Sequence, residues 1–261
     1  MNLRETLELL ASGKLSVEEA QSKLSLAGIA AVADFARLDL DRHARKGVPE
    51  VIYAPGKTND QLTGICSEML KQAGRAIASG VNTEQRQAIK EKFAGLVRET
   101  NEDARMIVIH RSGYELEQTG GRVGILSAGT ADIPASEQAR VVAEEMGCEV
   151  IRSYDVGVAG VHRLVDPLRQ MIEAHVSVII VAAGMEGALP SVVAGLVPVP
   201  VIGLPTSTGY GLGGGGITAL LSMLQSCCPG LVAVNIDNGV GAGATAALIA
   251  NQVAASGLHS G

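Results

Sequence analysis

The stretch that decides the fold runs from Pro200 to Gly241 and reads PVIGLPTSTGYGLGGGGITALLSMLQSCCPGLVAVNIDNGVG. Its apolar segment Val201–Leu204 is typical of a fully buried β-strand. A glycine-rich loop follows, and then Ile217, Leu221 and their apolar neighbours recur at helical spacing. A second apolar run, Leu231–Ile236, predicts another strand. The stretch therefore predicts strand, glycine loop, helix and strand, which is the repeating unit of α/β proteins.

The same alternation extends outward from this stretch. The predicted strands are Val123–Ser127, Glu149–Tyr154, Val176–Ala182, Val199–Leu204 and Leu231–Ile236. The predicted helices are Ala135–Met146, Val165–His175, Ala188–Leu196, Gly216–Ser226 and Ala242–Ala255. Five buried strands alternating with helices predict a doubly wound, flavodoxin-like parallel five-stranded sheet. Ligands of such sheets bind beyond the carboxyl ends of the strands.

The amino-terminal part predicts a smaller α/β domain, over residues 1–117, ahead of the larger domain at 118–261. Its predicted elements are a helical leader over residues 1–30, strands at Ala31–Leu40, Val51–Tyr53, Ala76–Val81 and Met106–His110, and helices at Asp60–Gly74 and Thr83–Arg98. The polar segment RSGYELEQTGG, Arg111–Gly121, marks the boundary. Gly56-Lys57-Thr58 resembles the end of a phosphate-binding P-loop, but Val51 stands where that motif needs its first glycine.

Composition excludes several classes of function. The 261 residues carry a net charge of −6 without a basic stripe, so we expect no nucleic-acid partner. No apolar run is long enough to cross a bilayer, so we expect a cytoplasmic protein with no membrane partner. The four cysteines show no CxxC spacing, which predicts reduced thiols and argues against zinc. Aromatic residues make up only 2 % of the chain, so aliphatic residues must form the core.

Polar or glycine residues follow each predicted strand of the larger domain. The segments are SAGTAD after the first strand, DVGVAGVHR after the second, AGMEG after the third, PTST after the fourth and DNG after the fifth. Because the strands are predicted to be parallel, these five segments should meet at one edge of the sheet. Their amides and hydroxyls suit a phosphate or a carboxylate.

These motifs resemble the LarB family, which makes the nickel-pincer nucleotide cofactor. The resemblance rests on SAGTADIP, YDVGVAGVHRL, VAAGMEGALPSVVAGL, VPVIGLPTSTGYG, ALLSMLQSCCPG and VNIDNGVGA, in this order. It covers essentially the whole chain, and the second domain is in turn similar to the PurE carboxylase of purine synthesis. One departure separates the two, because PurE carries a histidine where this chain has Ala188, with Glu186 two residues earlier.

The resemblance implies a reaction. Nicotinic acid adenine dinucleotide would be carboxylated by CO2 at carbon 5 of its pyridinium ring, and its phosphoanhydride would be hydrolysed. The products would be pyridinium-3,5-biscarboxylic acid mononucleotide and AMP. No organic cofactor is implied, and Mg2+ is expected because it would neutralise the charge of the phosphoanhydride.

Cys227 is the candidate nucleophile, because it holds the position of the family's cysteine. A thiolate that adds to ring carbon 4 makes carbon 5 nucleophilic and is afterwards a good leaving group. The predicted position, at the carboxyl end of a helix, disfavours a thiolate, and the cationic ring would compensate. The alternative interpretation is that Cys227 is a small buried hydrophobic residue with no catalytic role. Cys228 is assigned a structural role.

Glu186 is the candidate general base, in a glycine-flanked loop at a strand end. The alternative is an ordinary charge ahead of a helix. Asp132 is open to three interpretations: a substrate ligand, a helix cap, or a magnesium ligand together with Asp155 or Asp237. His162 is a loop histidine with or without a function, and Arg163 could clamp a phosphate or the ring carboxylate.

The remaining substrate-binding candidates lie in the same loops or on a basic edge of the first domain. They are Ser127, Gly129, Thr130, Gly184, Met185, Thr206, Ser207, Tyr210, Asn235, Arg42 and Arg45. The alternative for the two arginines is a solvated turn. The metal ligands are left open.

Two other functions stay open at this stage. One keeps the fold and changes the substrate to an aminoimidazole ribonucleotide, against which Ala188 argues. The other is a non-catalytic nucleotide-binding protein. Helices with few charges, such as Ala242–Ala255, predict faces buried in a homo-oligomer, and the similar families suggest an octamer.

Overall fold

The computed structural model describes residues 3–17, 19–20, 29–32, 36–39 and 46–257. They pack as two compact units. The first comprises Met1–Thr100 and Ile107–Tyr114, and the second comprises Asn101–Met106 and Glu115–Gly261. The predicted boundary between residues 117 and 118 stays a prediction, because packing into units does not show which part would fold alone. No helix in the described ranges is both long and apolar enough to cross a membrane.

The first unit combines a hairpin, a small mixed sheet and helices. Its strands are β1 Ile29–Val32, β2 Ala36–Asp39, β3 Val51–Tyr53, β4 Arg75–Ser79, β5 Val97–Asn101 and β6 Met106–His110. Its helices are α1 Leu3–Ala11, α2 Asn59–Ala73 and α3 Thr83–Lys92. The sheet order is β3-β4-β6-β5, in which β3 and β4 are parallel and β4 and β6 antiparallel. Thr58 and Asn82 begin α2 and α3 with capping boxes.

Two predictions for this unit are wrong. The helix expected over Thr83–Arg98 ends at Lys92. Gly95 follows with a φ of +80°, which does not continue a helix, and β5 begins two residues later. The single strand expected over Ala31–Leu40 is replaced by β1 and β2, which pair antiparallel with Ile29 opposite Asp39.

The second unit is built on a five-stranded parallel sheet, as predicted. Its strands are β7 Arg122–Ser127, β8 Glu149–Ser153, β9 Val178–Ala183, β10 Val201–Pro205 and β11 Leu231–Ala233. The order is β11-β10-β9-β7-β8, the flavodoxin-like arrangement. The chain reverses its direction of winding between β7 and β9, so a crevice is expected at their carboxyl ends. Strand β9, in the centre, is buried along its whole length.

Five α-helices and three short 3-10 turns connect and cover this sheet. The helices are α4 Ile133–Glu145, α5 Val165–Glu173, α6 Leu189–Ala194, α7 Ile217–Leu224 and α8 Gly239–Ala255. The 3-10 turns are Thr130–Asp132, Val158–Leu164 and Gly211–Gly216. The turns were not predicted, and each lies after a strand at the carboxyl edge of the sheet.

Small residues let α4 and α8 approach closely. A side-chain carbon added to Gly239 would lie 2.3 Å from the carbonyl oxygen of Ala135, and one added to Gly243 would lie 2.4 Å from that of Ala139. Any larger residue at these glycines would push the helices apart. Close packing of glycine and alanine thus explains how a nearly aromatic-free chain reaches a dense core.

A buried carboxylate ties several polar groups to α4. The Tyr154 hydroxyl and the Asn101 amide donate hydrogen bonds to Glu137, and Arg140 Nε lies 2.9 Å from its Oε2. Arg152 Nη1 lies 3.6 Å from Oε1. Burial alone would raise the pKa of Glu137, but the hydrogen bonds from Tyr154 and Arg140 and the two arginine charges lower it below its ordinary value of 4.5.

This network makes stability depend on pH. A carboxyl group whose pKa is lowered by folding contributes its full stabilisation above the unfolded value of 4.5, and this is lost as the pH falls through the folded value. We expect Glu137→Gln to lower the free energy of unfolding at pH 7 by about 2 kcal/mol. Urea unfolding should show that the difference from wild type shrinks at pH 3. A difference that is equal at both pH values would contradict this account.

The matched control is Glu149→Gln. Glu149 pairs with Arg122 at 3.1 Å, but both side chains are substantially exposed to solvent. Its removal should therefore change the free energy of unfolding by less than about 1 kcal/mol.

Candidate functional site

A cleft of about 570 Å³ lies at the carboxyl edge of the parallel sheet. Its walls come from the loops that follow β7, β8, β9 and β10. The lining residues are Ala128, Gly129, Ala131, Asp132, Asp155, Gly157, Val158, Ala159, Arg163, Ala183, Gly184, Met185, Glu186, Ala188, Leu189, Thr208, Gly209 and Tyr210. Four loops thus meet at the point where the winding of the sheet reverses, as expected for a ligand site in this fold.

The cleft contains about half of the residues singled out from sequence. Those that line it are Gly129, Asp132, Asp155, Arg163, Gly184, Met185, Glu186 and Tyr210. Those near the same edge but not in its lining are Ser127, Thr130, His162, Thr206, Ser207, Asn235 and Asp237. Arg42 and Arg45 lie outside the described residues.

Glu186 projects from a tight turn at the end of β9. The turn is closed by a hydrogen bond of 2.9 Å from the Gly187 amide to the Gly184 carbonyl oxygen. Glu186 is exposed, and no hydrogen bond or ion pair from the described residues engages its carboxylate. Ala188 and Leu189 form an apolar wall beside it. A carboxylate free to accept a proton next to an apolar wall suits a general base.

Arg163 is the only cationic side chain in the cleft lining, within the described part of the chain. Its Nη1 donates a hydrogen bond of 2.7 Å to Asp155 Oδ2, and both side chains are about half exposed. Such an exposed pair contributes little to stability, so Arg163 can exchange this partner for an anionic ligand at small cost. The neighbouring His162 is exposed on the same 3-10 turn.

Ser127 supports the loop after β8 rather than lining the cleft. It is fully buried, its hydroxyl accepts a hydrogen bond of 3.1 Å from the Asp155 amide, and its carbonyl oxygen accepts one from Val156. The Ser127 hydroxyl therefore does not face the cleft. Its predicted role in substrate binding could act only through the loop residues that it holds in place.

Asp132 is also turned inward. It is 4 % exposed, its Oδ1 accepts hydrogen bonds from Thr206 and Thr208, and its Oδ2 accepts one from the Gly129 amide. It occupies the position before α4, but its side chain does not cap that helix. Thr208 was not among the named substrate-binding candidates, although its segment PTST was expected at this edge, and it lines the cleft.

The predicted carboxylates do not fit a resident magnesium site. Asp132 is buried with both oxygens in hydrogen bonds, Asp155 pairs with Arg163, and Asp237 Oδ1 accepts a hydrogen bond of 2.9 Å from the Ser207 amide. Within the part of the chain that the structure describes, no three His, Cys, Asp or Glu residues cluster as metal ligands. Magnesium stays a prediction, and these side chains alone do not provide a cage for it.

Cys227 is not among the residues that line the cleft of its own chain. Helix α7 starts near the carboxyl edge and returns the chain toward the amino edge, as every crossover between parallel strands must. Its eight residues span about 12 Å. Cys227 follows it, is exposed, and is absent from the cleft lining.

The other three cysteines are less accessible than Cys227. Burial raises the pKa of the Cys66 thiol to about 12 and that of Cys148 to about 11, so both stay protonated near neutral pH. Cys228 is half-buried, and its thiol donates to the Ser191 carbonyl oxygen at 3.2 Å. Cys227 is therefore the most accessible thiol for a reagent or a substrate.

Comparison with known proteins agrees with this two-part architecture. A family described as LarB/PurE-like N-terminal domain matches residues 30–111, and one described as AIR carboxylase matches residues 122–259. An uncharacterized protein of Methanocaldococcus jannaschii is 44 % identical over 252 residues, which is 95 % of this chain and 97 % of that protein.

The second unit also has relatives of named activity. The N5-carboxyaminoimidazole ribonucleotide mutase of Thermotoga maritima is 33 % identical over 135 residues, 49 % of this chain and 74 % of that protein. The mutase of the same name from Pyrococcus abyssi is 30 % identical over 136 residues, 51 % of this chain and 72 % of that protein. The likeness to both mutases covers about half of this chain, whereas the M. jannaschii protein matches nearly all of it.

The order of thiol reactivity is testable on the native protein. A substoichiometric amount of a maleimide at pH 7 should label Cys227 first, because Cys66 and Cys148 are buried and Cys228 is partly covered. Peptide mass analysis locates the label. Cys227→Ala should lose the fast phase of labelling and Cys228→Ala should keep it. Fast labelling of Cys148, or a fast phase that survives in Cys227→Ala, would contradict the structure.

Proposed function

Since this chain belongs to the LarB family and its second unit is a PurE-like carboxylase domain, we propose that it carboxylates the pyridinium ring of nicotinic acid adenine dinucleotide. The full reaction takes up CO2 and water and releases pyridinium-3,5-biscarboxylic acid mononucleotide and AMP. This is the reaction that the sequence resemblance implies, and it would make the first intermediate of the nickel-pincer nucleotide cofactor.

One observation carries the proposal: Ala188 lines the cleft where the PurE segment has a histidine, while Glu186 stands free two residues earlier. An apolar residue at this point removes the titratable imidazole on which a PurE-like site would be built. It leaves an apolar lining on which a flat ring can lie. The single free carboxylate beside it then provides the base.

The chemistry runs in balanced steps. The Cys227 thiolate adds to ring carbon 4, and the ring's positive charge is neutralised as an electron pair moves to the nitrogen. Carbon 5 of the resulting enamine attacks the carbon of CO2 and forms the new carbon–carbon bond. Glu186 takes the proton from carbon 5, and the thiolate leaves carbon 4 as the aromatic ring reforms. The cysteine is regenerated, so no redox partner is needed.

The cationic and amide groups of the cleft suit the charged parts of the substrate. Arg163 can exchange Asp155 for a phosphate or the ring carboxylate, and Gly184 lies at the cleft wall. The hydrolysis of the phosphoanhydride has no assigned residues. For magnesium, the substrate phosphates would have to supply most of the ligands, since Asp132 and Asp155 are engaged in hydrogen bonds.

We also propose that the protein is a homo-oligomer, an octamer, in which Cys227 acts in the cleft of a neighbouring copy. The segment Gly187–Ile236 contains no Asp, Glu, Lys, Arg or His. On α7, the side chains of Ile217, Leu221 and Leu224 are more than half exposed, and Cys227 follows at the end of the helix. An uncharged apolar face of this kind is typical of a subunit interface. A copy bound there would bring its own cleft close to this Cys227.

The product experiment tests the reaction itself. The protein is incubated with nicotinic acid adenine dinucleotide, bicarbonate and Mg2+, and the products are identified by mass spectrometry. Wild type should give the biscarboxylated mononucleotide and AMP, and Cys227→Ala should give neither. Cys228→Ala is the matched control and should retain activity within about threefold. Glu186→Gln should slow carboxylation by about 10²–10⁴-fold, the range for general-base catalysis.

Unchanged dinucleotide with wild type would overturn the proposed reaction. Aminoimidazole ribonucleotide and its carboxylated forms would then be the next substrates to assay, because both mutases that match the second unit are named for that chemistry. A protein that binds the nucleotides but turns none of them over would be a binding protein.

Sharing of the site between copies is tested by mixing two inactive variants. Cys227→Ala and Glu186→Gln are dissociated, mixed and reassembled. Hybrid oligomers should recover measurable activity, because some sites combine an intact Cys227 from one copy with an intact Glu186 from another. Sedimentation velocity gives the number of copies. Activity that stays at the level of the parent variants in confirmed hybrids would show that each site uses one chain only.

A further inference from the structure

Asp132 joins two loops of the cleft directly and reaches a third through Thr208. Its Oδ1 accepts hydrogen bonds from Thr206 Oγ1 at 2.5 Å and from Thr208 Oγ1 at 2.6 Å. Its Oδ2 accepts a hydrogen bond of 2.9 Å from the Gly129 amide. The two threonines follow β10 and lie more than seventy residues later in the chain. The carboxylate thus bridges the loops after β7 and β10, which flank the central strand β9.

The bridge continues to the turn that carries Glu186. The Thr208 carbonyl oxygen accepts a hydrogen bond of 3.1 Å from the Met185 amide. Gly184 packs against the same hydroxyl, since a side-chain carbon built on it would lie 2.2 Å from Thr208 Oγ1. The position of Thr208 therefore sets the position of the turn, and Glu186 follows Met185 directly.

We propose that Asp132 is a positioning residue: its buried carboxylate holds Thr208, and through Thr208 it holds the turn that presents Glu186 to the substrate. Both sites on Oδ1 are filled by threonine hydroxyls, and the residue is 4 % exposed. The consequence for catalysis rests on the proposed function, while the consequence for the turn does not.

Asparagine and alanine separate the two roles of this residue. An asparagine amide group has two hydrogens, which can be donated to the two threonine oxygens, while its carbonyl oxygen accepts from the Gly129 amide. Asp132→Asn therefore keeps the bridge and removes the charge. Asp132→Ala removes both. A cation held by the carboxylate charge would bind more weakly in both variants, whereas a positioning residue is rescued by asparagine.

Hydrogen exchange tests the bridge without any assay of activity. Exchange of the amides in residues 183–188 should be at least tenfold faster in Asp132→Ala than in wild type, and close to wild type in Asp132→Asn. Thr208→Val removes only the bridging hydroxyl and should act like Asp132→Ala, so it serves if the alanine variant does not fold. Asp166→Asn, at an exposed ion pair with Arg169, is the control and should change nothing.

Steady-state kinetics tests the consequence for catalysis. Asp132→Ala should lower kcat by about 100-fold, the cost of misplacing a catalytic group by about an ångström, with KM changed less than threefold. Asp132→Asn should keep kcat within about threefold. Equal loss of kcat in both variants, or wild-type exchange rates in Asp132→Ala and Thr208→Val, would overturn the proposal. If wild type has no carboxylase activity, the proposed function fails, and the exchange rates still decide the role of Asp132.

Discussion

Close packing of two helices through small side chains is the constraint on which the second unit depends. Gly239 and Gly243 of α8 touch the backbone of α4 at Ala135 and Ala139. With few aromatic residues available, contact between backbones replaces contact between large side chains as the source of dispersion energy. The start of α4 is thereby fixed, and Asp132 stands one residue before it. The geometry of the cleft thus depends on glycines that are not part of its lining.

The cleft combines buried polar groups that are held in hydrogen bonds with exposed polar groups that a ligand could reach. Ser127, Asp132 and Thr206 are buried and satisfied by hydrogen bonds to neighbouring loops. Glu186 and Arg163 reach solvent, the first without a described partner and the second with one that it can release. Buried polar groups with complete hydrogen bonds give a rigid framework. Exposed groups on such a framework are preorganised and still accessible to a ligand.

Much of this could be predicted from the sequence, because parallel strands are continuous apolar runs. All five strands of the larger sheet, and the edge where the cleft lies, follow from that pattern. Strand β5 was missed since its residues, Val97–Asn101, are mostly polar and lack such a run. The inward turn of Asp132 could not be predicted, because it depends on threonines that only the folded chain brings near.

The position of Cys227 shows a further limit of motif reading. The motif places a cysteine after a helix, but the distance from the cleft depends on the length and direction of that helix. Sequence motifs state which residues occur together in a family, and a single chain need not bring them together. The absence of Cys227 from the cleft lining, together with the exposed apolar face of α7, motivates an assembly in which neighbouring chains complete each other's sites.

Strained backbone is concentrated at the same edge of the sheet. Of the five non-glycine residues with positive φ in the described ranges, Asp155, Met185 and Asp237 each follow the end of a strand of the parallel sheet. Each costs on the order of 1–3 kcal/mol. Substituting glycine at these positions should raise the thermal stability of the protein. At Asp155 and Met185 the same substitution would remove a side chain from the cleft wall. At these two residues, a change that increases stability therefore also changes the surface that a ligand would meet.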